Sequence, residues 1–446
     1  MNPVPVAVRV RPRFAVSSIS TEATALMVAT LASAGLNLVF WLAAARLYPT
    51  GAVGRVSVAV SAWALLSGVG QLNLSTVLAR FLPDAGRHTV RVLAGSYAAI
   101  IVASLIVGAG FVGLGFGDSF LGGGTGTRMA FVALVAVFAL FVVQDTVLTT
   151  FRRTLWVPVE NVSVSVGKLL GLLAFAAVGS SSLAITVGWV VPTAIAVGMV
   201  TVAVFGSFAP AQVRAAAPAD RLPTAREFGA FVGAQYANNL VGTVATFAAP
   251  LVVVDVLGTR QAAYFNVPWL VIVTMQTLLW NILTPFLVHS VREPDQVRRH
   301  AARVLRIGAP VVGLGTVALV VAAPVVLGLQ GAAFAAGGTP LLRVVALSFP
   351  ATAVIVFTTG YALLERRLWR LVAIRTPAAV CFLGGAALLL PRLGVVAVGI
   401  AYVTVQTIVA AALLPGLVRR LRTGGAPVQS TPAAGRIPAD DRNCST

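Results

Sequence analysis

The chain has 446 residues, of which 58% are hydrophobic and only 10% are charged, and its mean hydropathy is +0.93. This composition excludes an ordinary soluble domain, in which about 25% of residues are charged. The formal net charge is +19, but the basic residues lie in short gaps between apolar runs and not on one polar surface, which argues against nucleic-acid binding.

The apolar runs predict an all-α polytopic membrane protein of about 12 transmembrane helices, because about 20 apolar residues cross the hydrocarbon of a bilayer. Residues 1–22 are predicted to be a cytoplasmic N-terminal segment. The first run, 23–45, is too long for a cleavable signal peptide and predicts a retained helix. The other predicted spans are 53–79, 92–116, 129–150, 158–178, 184–208, 228–254, 262–289, 307–328, 340–364, 371–391 and 393–417.

The spans predict two pseudo-symmetric six-helix bundles around a central cleft. Residues 23–208 form the first predicted lobe and residues 228–417 the second, joined by a cytoplasmic linker at 209–227. The segment 418–446 is rich in Gly and Pro and is predicted to be a disordered basic cytoplasmic tail. Cys381 lies in an apolar run and Cys444 in this tail, so we expect no disulfide framework, metal site or cofactor.

The basic residues also predict the direction of each span. Alternate connections carry most of the arginines, and cytoplasmic loops retain Arg and Lys, so both termini are expected in the cytoplasm. The arginines assigned to these connections include Arg80, Arg87, Arg91, Arg152, Arg153, Arg214, Arg221, Arg226, Arg292, Arg298, Arg299, Arg303, Arg306, Arg366, Arg367, Arg370, Arg375, Arg419, Arg420 and Arg422.

A weak repeat relates the two lobes at an offset of about 209 residues, as transporters built from duplicated halves often show. Thr30, Ser33 and Asn37 correspond to Asn239, Gly242 and Thr246. Each trio lies on one helix face. Helix packing explains such stripes as well as a hydrated cleft does, because small and polar residues also hold membrane helices together.

Lys168 is the only lysine in the chain and falls in the middle of the fifth span, with Asn161 and Ser165 on the same face. A lysine at the centre of a membrane helix costs roughly 2.5–3.5 kcal/mol and therefore normally faces a cavity or a partner. Three interpretations stay open: Lys168 binds an anion, pairs with Asp145, or extends toward the membrane surface.

Asp145 and Glu160 are candidates for functional charge, although either could form an interfacial ion pair with Arg152 or Arg153. Arg46 and Asp255 occupy corresponding places in the repeat. They could form a gate pair, or they could be two unrelated interfacial charges.

Several segments together resemble bacterial polysaccharide-biosynthesis (O-antigen) flippases of the multidrug/oligosaccharidyl-lipid/polysaccharide exporter superfamily, from about residue 23 to residue 420. They are Ala44-Ala45-Arg46-Leu47-Tyr48-Pro49, Gln144-Asp145-Thr146, Arg152-Arg153, Trp156-Val157-Pro158-Val159-Glu160-Asn161 through Lys168, and Gln235-Tyr236-Ala237-Asn238-Asn239. The resemblance implies two six-helix bundles around a cleft and no enzymatic activity. It also implies a multi-pass protein of the bacterial cell membrane, working in surface polysaccharide or lipopolysaccharide biosynthesis.

The function implied by the resemblance is translocation of a polyprenyl-diphosphate-linked oligosaccharide by alternating access. Lys168, Asn161, Asn37, Gln235 and Asn239 are then the predicted substrate-binding residues. The residues predicted for coupling to H⁺ or Na⁺, or for gating, are Asp145, Arg46 and Asp255. A monomer in the bilayer is expected.

Two other functions remain open. A cation-coupled multidrug exporter of the same fold needs a carboxylate inside the membrane, and Asp145 approaches that description. A membrane glycosyltransferase or polymerase needs acid or base groups outside the membrane, where the sequence offers little beyond Asp118 and Asp255. The chain has no Gly-Lys-Ser/Thr phosphate loop that would indicate ATP as the direct energy source.

Overall fold

The computed structural model describes residues 16–83, 85–176, 181–215, 225–292, 296–365 and 368–423, and these are almost entirely helical with no strand. The predicted tail beyond residue 423 lies outside the described residues, as do parts of the N-terminal segment and of the linker. A long apolar segment favours an α-helix, because a helix satisfies its own backbone hydrogen bonds within lipid.

The described residues of the first half of the chain form nine α-helices, three of them short. They are α1 (Val16–Leu47), α2 (Thr50–Gly70), α3 (Leu74–Phe81), α4 (Thr89–Gly113), α5 (Asp118–Leu121), α6 (Thr125–Thr150), α7 (Trp156–Ala176), α8 (Ser182–Ala203) and α9 (Ala209–Ala215). A wider π-helical turn at Val204–Phe208 joins α8 to α9. Because Gln212 of α9 donates to the carbonyl oxygen of Leu82 at 2.8 Å, α9 is attached to the first half.

In the second half, the part of the chain that the structure describes forms seven α-helices, two of which are bent relative to each other. They are α10 (Ala225–Phe247), α11 (Ala249–Arg292), α12 (Val297–Gly328), α13 (Ala332–Ala346), α14 (Phe349–Leu364), α15 (Leu368–Leu393) and α16 (Val396–Thr423). Helices α13 and α14 meet at an angle of 47° and form one broken span. Within α11, Gly258 adopts φ 78° and ψ 175° and interrupts the helix.

The described chain contains nine helices that are long and apolar enough to cross a membrane, or ten with the bent pair α13 and α14. Residues 235–283 are counted as one of these spans, although a kink at Gly258 divides them into two helical segments. If α1 and the two parts of this stretch are counted separately, the described residues provide up to twelve candidate spans, which agrees with the prediction of about twelve. The prediction of an all-α polytopic fold with two lobes is confirmed.

Large apolar side chains cover the outside of the bundles. Ile106, Val202 and Leu388 are 66%, 73% and 80% exposed. In water such side chains would be buried, whereas in a bilayer lipid covers them. Their position agrees with a multi-pass membrane protein.

The two halves meet through α2, which packs against both α10 and α11. Glycines permit this approach. A Cβ atom at Gly54 would lie 1.7 Å from the carbonyl oxygen of Thr259, and one at Gly68 would lie 2.6 Å from the Thr243 side chain. Only a residue without a side chain allows the backbones of α2 and α11 to come so close at Gly54.

Candidate functional site

At one end of the interface, a break in the second span places polar groups against α10. Leu72 and Asn73 have φ of 51° and 56°, an uncommon left-handed conformation for non-glycine residues. Asn239 donates from Nδ2 to Asn73 Oδ1 at 3.0 Å, and Tyr236 donates to the carbonyl oxygen of Val69 at 3.0 Å. These two hydrogen bonds join the lobes at what we name the Asn73 end.

The opposite end of the interface, named here the Arg46 end, is held by a different set of hydrogen bonds. Arg46 donates from Nε to the carbonyl oxygen of Leu329 at 2.7 Å, and from Nη2 to that of Gly328 at 3.4 Å. A cation at the C-terminus of α12 is favoured by the helix dipole. Among the described residues Arg46 forms no ion pair with Asp255, so the structure does not bring the suggested gate pair together.

Inside the first lobe, α6 and α7 bring two carboxylates together. Asn161 donates from Nδ2 to Asp145 Oδ1 at 3.1 Å, and the Asp145 carboxylate interacts electrostatically with that of Glu160. Glu160 is 7% exposed, and neither of its carboxylate oxygens has a hydrogen-bond partner. Neither acid forms an ion pair with Arg152 or Arg153 within the described chain, which leaves the simple interfacial interpretation without support.

The polar stripe of α1 reaches the same level of the first lobe. Tyr48 donates to the carbonyl oxygen of Leu172 at 2.9 Å, which aligns α1 with α7. Three spans separate α1 from α7 along the chain, so α1 and α7 cross the membrane in the same direction. Asn37 and Asn161 each precede this hydrogen bond by eleven residues. Asn37 Oδ1 and Ser33 Oγ are buried without a hydrogen-bond partner, so oxygen acceptors accumulate at this level.

Lys168 lies farther along α7 and is 7% exposed. Its Nζ is 3.9 Å from the centre of the Trp189 ring, a cation–π contact. No carboxylate in the described part of the chain forms an ion pair with Lys168. The structure therefore does not show the suggested Lys168–Asp145 pair. The Lys168 ammonium instead faces the Trp189 ring within the first lobe.

The second lobe contains a cavity of about 100 Å³ that the sequence did not indicate, with a mainly apolar lining and a few polar side chains. Arg375 of α15 contributes the charge, and it donates from Nη1 to Asn238 Oδ1 at 3.2 Å. Gln276 of α11 donates to the hydroxyl of Tyr402 of α16 at 2.6 Å. The sequence analysis counted Arg375 with the arginines of the cytoplasmic connections although its predicted span 371–391 includes this residue, and the structure places it inside the apolar span Leu371–Leu393.

The structure thus separates most of the predicted site residues from one another. Asn161 and Asp145 are in contact, and the α1–α7 register brings Asn37 to their level. Asn239 belongs to the lobe interface, and half-buried Gln235 precedes it by one helical turn. Gly242 and Thr246, the partners of Ser33 and Asn37 in the repeat, line the cavity of the second lobe. An arginine inside an apolar run was the available signal for that cavity.

No family model and no curated protein matches this chain. Solved structures do match over most of its length. An inward-facing multidrug resistance MATE family transporter of the MOP superfamily is similar with a TM-score of 0.64 and 16% identity, over 88% of this chain and 96% of that one. An outward-facing structure of the same kind gives 0.58 and 15%, over 90% and 96%.

The lipid II flippase MurJ in an inward closed conformation is similar with a TM-score of 0.59 and 13% identity, over 89% of this chain and 88% of that one. The chain therefore has the same fold as these solved structures. Sequence identities this low show the fold alone, and the function has to be argued from the residues of this chain.

Proposed function

We propose that the protein is an alternating-access transporter that moves a polyprenyl-diphosphate-linked oligosaccharide across the bacterial cell membrane for surface polysaccharide synthesis. The observation that carries this proposal is the interface between the lobes. Different hydrogen bonds close its two ends: Arg46 with Gly328 and Leu329 at one, Asn73 with Asn239 and Val69 with Tyr236 at the other.

Few polar contacts hold each end, and this suits a protein that opens its ends in turn. Each hydrogen bond contributes only about 0.5–1.5 kcal/mol net, because the groups regain other partners when it breaks. A substrate that binds one arrangement of the lobes better than the other by a few kcal/mol is enough to shift such an equilibrium. The close approach of α2 and α11 at Gly54 is then the tightest part of the Arg46 end.

The distribution of charge supports an anionic headgroup as the substrate. Lys168 in the first lobe and Arg375 in the second put positive charge into membrane helices, where an isolated charge is costly. A diphosphate needs cations on its route, and each sugar hydroxyl that loses water without a new partner costs about 2–7 kcal/mol. The polyprenyl tail remains in the bilayer while the polar headgroup passes between the lobes.

The carboxylates of the first lobe support coupling to a cation. The Asp145 carboxylate interacts electrostatically with that of Glu160, and the first lobe also holds buried oxygens without a hydrogen-bond partner among the described residues: Glu160 Oε1 and Oε2, Asn37 Oδ1 and Ser33 Oγ. Oxygen ligands suit Na⁺, and a proton shared between two carboxylates removes their repulsion. The same observation is the one that favours a cation-coupled multidrug exporter as a second candidate function.

Reconstitution in proteoliposomes separates the two functions. We expect a fluorescent lipid-linked oligosaccharide to become accessible in the opposite leaflet at a rate above that of protein-free vesicles. Vesicles that contain a variant with both ends of the interface cross-linked are the matched control. Uptake of a cationic dye together with no movement of the lipid-linked sugar would favour the drug exporter and contradict the proposal.

A further inference from the structure

The cavity of the second lobe is enclosed by five helices. Gly242 and Thr246 belong to α10, Gln276 to α11, Thr352 to α14 and Tyr402 to α16, while α15 supplies Arg375. Among the residues that line it, none is Asp or Glu. The cavity therefore has a mainly apolar lining in which Arg375 places one positive charge.

Arg375 has more hydrogen-bond donors than the described residues around it accept. A guanidinium has five N–H donors, and the structure shows one hydrogen bond for Arg375, to the neutral amide of Asn238. Its Nη2 lies beside Gly242, where a Cβ atom would be 3.3 Å away. The buried side chain of Thr352 lines the same cavity beside the hydroxyl of Tyr402.

A charge in this situation requires a counter-charge. Removing an ion from water is expensive unless an ion of opposite sign and further hydrogen bonds compensate for the loss. The free N–H groups of a guanidinium form a planar fork that matches two oxygens of a phosphate or carboxylate. The volume of about 100 Å³ exceeds the space that a single water needs and is far too small for an oligosaccharide.

We propose that this cavity is an anion site that binds one phosphate group through Arg375, with the hydroxyls of Thr352 and Tyr402 as further ligands. The phosphate can come from the diphosphate of a lipid headgroup or from free phosphate or pyrophosphate. Only the identification of the lipid rests on the proposed transport function.

The position of Asn238 gives the anion site a route to the lobe interface. Asn238 accepts the hydrogen bond from Arg375, and the next residue of α10, Asn239, donates to Asn73 of the first lobe. A phosphate that draws Arg375 toward itself competes with Asn238 for the guanidinium. Occupancy of the cavity therefore acts on the same turn of α10 that closes the Asn73 end.

Titration calorimetry on the full-length protein in phosphatidylcholine nanodiscs tests the site. The probes are inorganic phosphate, inorganic pyrophosphate and farnesyl diphosphate. We expect saturable binding by the wild type, a loss of at least tenfold in affinity for Arg375→Gln, and a smaller loss for Arg375→Lys, which keeps the charge but not the fork. The matched control is Arg392→Gln, an exposed residue in the last turn of the same helix, which should bind like the wild type.

If Arg375→Gln does not fold, Gly242→Ala replaces it as the test. The added methyl lies 3.3 Å from Nη2 and narrows the cavity without removing the charge, so affinity should fall several-fold. Equal binding of pyrophosphate and farnesyl diphosphate would identify the anion itself as the ligand. Binding of farnesyl diphosphate alone would identify a lipid headgroup. Both results support the site.

Absence of binding of all three probes by the wild type would overturn the site, as would wild-type affinity in Arg375→Gln. These results are distinct from a failure of the proposed function. Phosphate binding without movement of lipid-linked sugar would leave the site and remove the transport proposal. Lipid movement by a wild type that binds none of the probes would overturn the site and leave the transport proposal standing.

Discussion

Asn238 and Asn239 are consecutive residues of α10, yet their side chains serve different parts of the molecule. Asn238 accepts a hydrogen bond from Arg375 inside the second lobe, and Asn239 donates one to Asn73 of the first lobe. One turn of helix thus connects the charged cavity to the contact between the lobes. Transport by alternating access requires a connection of this kind, because binding must favour one arrangement of the lobes.

The hydrogen bond between Asn239 and Asn73 should hold the Asn73 end closed. Asn239→Leu removes the donor, which costs about 1 kcal/mol and shifts the equilibrium toward an open end about fivefold. The labelling rate of a cysteine introduced at Gln235, in a protein whose native cysteines have been replaced, measures this opening. An unchanged labelling rate in Asn239→Leu would show that the hydrogen bond does not close this end.

Gly54 should be essential for the approach of α2 to α11. In Gly54→Ala the new methyl meets the carbonyl oxygen of Thr259, so the two helices must separate, at a cost of about 1–3 kcal/mol. The melting temperature in detergent should fall, and the Arg46 end should become more accessible to thiol reagents. Gly95→Ala is the control, because no atom lies within 4 Å of its added methyl and alanine favours a helix.

Glu160 should couple transport to a cation gradient. Glu160→Gln keeps the shape of the side chain and removes its charge, so the fold should be retained and the thermal stability should rise, since no hydrogen bond compensates the buried carboxylate. Transport in proteoliposomes should then no longer respond to an imposed H⁺ or Na⁺ gradient.

The control for Glu160 is Asp118→Asn. Asp118 is an exposed acid that pairs with Arg128 at 2.7 Å, and its loss should leave the gradient response intact. A Glu160→Gln protein that still responds to both gradients would exclude this residue from coupling.

Lys168 remains our predicted anion contact in the first lobe. Lys168→Arg should retain part of the flipping activity, whereas Lys168→Gln should lose most of it. The double variant Lys168→Gln, Asp145→Asn should not regain flipping activity, because the hydrogen-bond partner of Asp145 is Asn161 and not Lys168. The rate of lipid flipping, compared at equal folded protein, decides the question. Full activity of the double variant would mean that the two charges only balance each other.

The direction of the spans can be measured with cysteines in exposed connections. Gly123→Cys and Ser181→Cys are predicted to lie outside the cell, and Gln296→Cys is predicted to lie in the cytoplasm. An impermeant thiol reagent should label the first two in whole cells and the third only after the cells are opened. Labelling of Gln296→Cys in intact cells would reverse the topology and exchange the inner and outer ends of the interface.

The amino-acid sequence by itself determined the class of the protein, its helical architecture and the number of its crossings. The physical reason is local: a span needs about 20 apolar residues, whatever it packs against. The same rule accounts for the error at Arg375. The excess of arginine in connections is a statistical rule about loops, and it assigned to a loop a residue that the structure places inside a span.

Only the tertiary structure decided which polar groups meet, because those contacts join residues far apart in the chain. Nothing near Arg46 in sequence indicates the carbonyl oxygens of Gly328 and Leu329, and helical spacing cannot show that Asn161 faces Asp145 on another helix. The repeat of about 209 residues located polar faces on α1 and α10. The packing of α7 and α15 then determined that the face on α1 lies level with the contact between Asn161 and Asp145, and that the face on α10 borders the guanidinium of Arg375.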